Sequence, residues 1–70
     1  MSLYPNIDSA LREKNITYPV LARAIGLHPM AVYRRLNGST EWKLSEAAKV
    51  AIYLGCADMT NLFLRLDTKS

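Results

Sequence analysis

Seventy residues, half of them apolar, make one small domain and exclude a second, because a chain this short buries only about 60% of the surface it exposes when unfolded. The single cysteine, Cys56, excludes a disulfide framework, and no run approaches the roughly 20 apolar residues of a membrane span or the pattern of a signal peptide, so a cytosolic location is expected. The net charge of +3 is uneven: six basic residues stand against two acids from Ala10 to Lys43, whereas Leu44 to Ser70 balances to zero. A localised basic surface suits an anionic polymer, whose phosphates release counterions on neutralisation, and it equally suits a plain solvated face.

In chain order, Met1 to Pro5 lacks helical periodicity and reads as an arm. Asn6 is a candidate N-cap, and Ile7, Ala10 and Leu11 share one apolar face, which predicts a first helix over Ile7 to Lys14. The second helix begins at Thr17 or Tyr18, since Pro19 is tolerated only in a first turn, and Leu21, Ala22 and Ile25 form its inner face. Gly26 supplies the left-handed residue that ends it. His28 then caps a third helix with Pro29 at its first position. A connection of about three residues forces these two helices to cross at a large angle, the helix-turn-helix arrangement.

On the third helix Ala31, Val32 and Leu36 face inward, leaving Met30, Tyr33, Arg34 and Asn37 outward with Arg35 near the edge. That outer face has no acid and combines guanidinium, phenol and thioether groups, a set suited to base edges and phosphates. Met30 and Tyr33 at helical spacing also suit a core, but Val32 and Leu36 already claim the inner face. Asn37 and Gly38 end the helix, and Ser39 to Lys43 forms a loop whose Trp42 serves as a packing anchor or a stacking platform. Leu44 to Leu54 is apolar around most of its circumference and is expected to be the buried centre; Gly55 stops it. Asp58 caps a fifth helix over Met59 to Leu66, of which one face docks on the core and the other wants a partner. The result is an all-α, compact bundle of about five short helices in a single domain, with an arm at 1–5 and a short tail at 67–70.

No residue pattern supports catalysis or a cofactor. His28 is the only histidine, with no second metal ligand nearby, and the serines have neither a base nor an acid at useful spacing. Cys56 reads as a small buried hydrophobe.

Ala22, Gly26, Leu27, Val32 and the closing Asn37-Gly38, together with ALREKNIT before them and STEWKLSEAAKVAIYLG after them, resemble the lambda-repressor-like (Cro/C1-type, XRE) helix-turn-helix family of phage and bacterial regulators, over about Ile7 to Phe63. The resemblance implies a third helix in the major groove of double-stranded DNA, with His28, Pro29, Met30, Tyr33, Arg34 and Asn37 as base readers. Arg34 is the foremost of these, because a guanidinium can bond guanine O6 and N7 together. Thr17, Tyr18, Arg35, Gly38 and Lys43 would reach phosphates, which fixes register without reading sequence. The chain departs from many relatives at Tyr18, which replaces a glutamine, at Pro29, which replaces a polar residue, and at Lys43, which replaces a Ser or Thr cap.

The function expected is a sequence-specific regulator of repressor or Cro type, in a bacterial cytosol or phage-infected host, that occupies an operator. A single module covers only about 600 to 1,000 Å² of DNA interface, which favours a homodimer on a palindromic site, with Leu62, Phe63 and Leu66 of the fifth helix as its contact. The other reading is an antitoxin- or antirepressor-like module that uses the same fold to bind protein. A helical interaction module without any nucleic-acid role would carry a neutral or acidic third helix, unlike the Arg34-Arg35 pair.

Overall fold

In a computed structural model, residues 2–66 are described; Met1 and the tail expected at 67–70 lie outside the described residues. The elements are α1 (Pro5–Glu13), α2 (Tyr18–Ile25), α3 (Pro29–Leu36), α4 (Leu44–Leu54) and α5 (Met59–Leu62), with no strand among the described residues. The all-α helix-turn-helix bundle is the architecture found.

The chain reverses after each of the first four helices by one device. A residue in the left-handed region follows the helix, and the next amide reaches back to a carbonyl in the last turn: Ile16 N–H to Leu11 O, Leu27 N–H to Ala22 O, Ser39 N–H to Arg34 O and Cys56 N–H to Ala51 O, at 2.8 to 2.9 Å. At Gly26, with φ of 78°, this turn brings α3 onto α2. Glycine is needed there because a Cβ penalises that conformation. Pro29 at the first position of α3 sacrifices no helical hydrogen bond, and the His28 ring Nδ1 accepts the Met30 amide at 3.1 Å as a side-chain cap.

The core draws Ile7 and Leu11 from α1, Leu21, Ala22 and Ile25 from α2, Val32 and Leu36 from α3, and Val50, Ala51 and Leu54 from α4. Four expectations need correction. The first helix starts earlier, at Pro5, so Asn6 is not its cap; the Asn6 amide donates instead to Asn61 O on α5 at 2.6 Å. The arm is part of the core: Tyr4 is buried edge-on against Trp42 and Phe63, and Leu3 N–H donates to Leu36 O while Leu3 O accepts from Leu66 N–H, both at 2.8 Å. Trp42 is accordingly a packing anchor, and its indole nitrogen is buried with no partner among the described residues. Helix α4 is not buried all round. Its inner stripe is Ala47, Val50, Ala51 and Leu54, while Leu44 and Ile52 are each 79% exposed.

The fourth correction concerns the fifth helix and the contact expected on it. Helix α5 is a single turn, because Phe63 turns inward to Trp42 at 5.5 Å between ring centroids and the Leu66 amide is drawn to Leu3. Leu62 is buried in this chain's own core and cannot meet a second protomer, Phe63 is partly buried against that core, and Leu66 is exposed.

Helix α3 is fastened to α4 by an ion pair. Arg35 Nε and one terminal nitrogen donate to the two oxygens of Glu46 at 2.8 and 3.1 Å, and its other terminal nitrogen donates to Ala31 O at 3.1 Å. Glu46 also accepts the Lys43 amide at 3.0 Å, which caps α4 where the lysine side chain has no acceptor to offer. Burial alone would raise the Glu46 carboxyl, but the Arg35 hydrogen bonds and the Lys43 amide outweigh it and hold its pKa below the ordinary 4.5. A group so depressed contributes stability that is full above about pH 4.5 and is lost as pH falls through its lowered folded value. Glu46→Ala is therefore expected to destabilise the domain near neutral pH, toward the low end of about 3 to 5 kcal/mol, and to flatten its acid dependence in urea melts. Unchanged stability at neutral pH would remove the clamp.

Candidate nucleic-acid interface

The exposed side of α3 is built by default. Val32 and Leu36 are drawn into the core, so the helical period turns Met30, Tyr33, Arg34 and Asn37 away from it. All four are exposed, and His28 and Pro29 at the start of the helix are exposed as well. The six residues expected to read bases thus lie on one solvent-facing surface. The Arg34 side chain makes no hydrogen bond or ion pair within the described residues, in contrast to its neighbour. Asn37 is partly engaged, because its side-chain oxygen accepts the Ser39 amide at 2.9 Å and leaves the NH₂ as its remaining polar group.

The residues expected at phosphates fare differently. Thr17 is exposed at the N-cap of α2, its hydroxyl accepting the Val20 amide at 3.4 Å, and the Lys43 side chain is exposed. Arg35 is corrected: its guanidinium is held by Glu46 and Ala31 O, inside the joint between α3 and α4. The Gly38 amide turns back to Arg35 O at 3.3 Å, and the amides of Ser39 and Thr40 turn to Arg34 O, so this loop does not offer a row of free donors. Gly38 has another duty, since at φ of 88° a Cβ there would meet Leu3 Cδ1 at 2.7 Å.

Tyr18 is corrected too. Its hydroxyl donates to Asp8 Oδ1 of α1 at 2.8 Å, so its one proton is already committed within the chain. Its ring lies 6.3 Å from that of Tyr33, so α1, through Asp8 and Tyr18, braces an aromatic residue of the exposed face. A small pocket of about 30 Å³ is lined by Ser2, Tyr18, Tyr33, Leu36 and Asn37. One basic residue was not singled out by sequence reasoning. Arg12 borders a groove with Asp8, Thr17 and Tyr18 at the start of α2; it lies outside the helix-turn-helix and only the packing of α1 brings it there.

Burial, then the hydrogen bond to Asp8, raise the Tyr18 pKa from 10.0 to about 12. The phenol form is thus favoured by folding, and the stability it contributes is complete below about pH 10 and lost as pH rises toward 12. Tyr18→Phe should lose that alkaline dependence, read as a difference in urea midpoints between the two proteins across this range. Parallel curves would show that the Asp8 contact does not hold in solution.

A family model described as the Cro/C1-type HTH DNA-binding domain matches residues 6–62. No curated protein and no solved structure gives a significant match to the chain.

Proposed function

The chain belongs to the Cro/C1-type helix-turn-helix DNA-binding family, and from that premise we propose that it is a sequence-specific regulator of repressor or Cro type, of phage or bacterial origin, acting in the cytoplasm on a palindromic operator. The observation that carries this reading is the acid-free exposed face of α3, on which the Arg34 side chain has no partner among the described residues while Arg35 is committed to Glu46. A guanidinium that folding leaves at the surface suits the paired acceptors of a guanine. Met30, Tyr33, Asn37, His28 and Pro29 complete the reading set, and Thr17, Lys43 and Arg12 are the proposed phosphate contacts.

A regulator this small needs two copies to cover an operator. Leu44, Ala48 and Ile52 recur at every fourth position of α4, with an exposed aliphatic residue at each end of a small one. The row is symmetric about Ala48, so two antiparallel copies would set Leu44 of each against Ile52 of the other, an isologous contact. Three side chains fall short of the roughly 1,200 Å² of a stable interface, which makes the dimer weak in solution and dependent on adjacent half-sites. The antitoxin- or antirepressor-like reading assigns the same ridge to a foreign protein.

Selection from random duplex DNA at physiological salt is expected to enrich a palindrome with a guanine in each half. Arg34→Ala should cost about 1 to 3 kcal/mol and relax the preference at that base. Lys43→Ala should weaken all sequences alike and reduce the salt slope by about one charge. Absence of any enriched sequence would remove the regulator reading. Ile52→Glu is expected to abolish cooperative occupation of the two half-sites while leaving the monomer folded; unaffected cooperativity would exclude the α4 ridge.

A further inference from the structure

The cap of α3 fixes what His28 can say to a partner. Its Nδ1 accepts the Met30 amide at 3.1 Å, so that nitrogen carries a lone pair and no proton. In the neutral ring the proton then resides on Nε2, which makes the exposed tip of His28 a donor and not an acceptor. Next along the exposed surface are Pro29, which has no backbone N–H, and Met30, a residue 51% exposed. The start of the helix therefore offers one hydrogen-bond donor beside an apolar surface.

Of the four base edges in the major groove, one pairs an acceptor with an apolar group. Thymine has O4 next to its 5-methyl; guanine has two acceptors, adenine sets an amino donor beside N7, and cytosine confronts a donor with a donor. We propose that His28 and Met30 together read a thymine, with the His28 Nε2–H donating to O4 and the Met30 side chain packing on the methyl. The inference rests on the DNA-binding reading above and adds the base class that the first turn of α3 selects. Met30 and Arg34 are four residues apart, about 6 Å along the helix, and base steps are about 3.4 Å, so this thymine lies within about two base pairs of the guanine taken by Arg34.

The two contacts separate chemically. Replacing the thymine by deoxyuridine removes the methyl and keeps O4; replacing the thymine–adenine pair by 5-methylcytosine–guanine keeps the methyl and turns the acceptor into an amino donor. Binding of the full chain to these duplexes, followed by fluorescence anisotropy, should fall about fourfold with deoxyuridine, the weight of one methyl. It should fall roughly 2- to 12-fold with 5-methylcytosine, the weight of one hydrogen bond. Met30→Ala should erase the first penalty and keep the second. His28→Ser, which retains an N-cap and so keeps the melting temperature, should erase the second and keep the first. Penalties that both variants share with the parent chain overturn the proposal, as does a His28→Ser protein that binds every duplex equally more weakly, the mark of a phosphate contact. An enriched half-site without a thymine near its guanine overturns it while sparing the regulator reading, whereas failure to enrich any sequence removes both.

Discussion

One carboxylate, that of Glu46, holds the two helices on which the exposed surface depends. It accepts from Arg35 on α3 through two hydrogen bonds and from the Lys43 amide at the start of α4, so a single side chain caps one helix and clamps another. Its burial is unfavourable for a charge, and the three donors offset that cost. The arrangement divides labour between adjacent arginines. Arg35 is turned toward the joint and fixes how α3 sits; Arg34, one hundred degrees around the helix, is left to solvent. The surface available for recognition thus carries little of the burden of holding the fold together.

A second brace acts from the other side. The Tyr18 hydroxyl is bound to Asp8 of α1, and its ring stands against Tyr33. Since α1 precedes the helix-turn-helix in the chain, the position of an aromatic group on α3 depends on a helix outside that motif. Ordering Tyr33 before binding reduces the rotamer entropy that would otherwise be lost on association.

What could be read from the sequence was whatever is decided within a few residues. The turn at Gly26, the proline that starts α3, the His28 cap and the outward set from Met30 to Asn37 all follow from local geometry and the 3.6-residue period, and all were legible. What escaped was decided by residues far apart in the chain. No local rule pairs Arg35 with Glu46 eleven positions on, or Tyr18 with Asp8 ten positions back, so both looked free for phosphates. Phe63 read as half-partnered because the rings that pack on it, those of Tyr4 and Trp42, come from a supposed arm and a loop. The apolar composition of α4 suggested burial on all sides, but a bundle of five short helices has too few neighbours to cover it, and Leu44 and Ile52 stay exposed.

The contact between Leu3 and Gly38 ties the start of the chain to the end of α3. Leu3 pairs with the Leu36 carbonyl and packs where any side chain at position 38 would intrude, and Ser2 lines the small pocket with Tyr33 and Asn37. Ser2 therefore stands at the rim of the recognition surface. Leu66 is held to Leu3 by its amide and Arg65 also borders Gly38, so the first and last described residues converge on the same side of the end of α3, and a bulky group fused beside either would crowd DNA there.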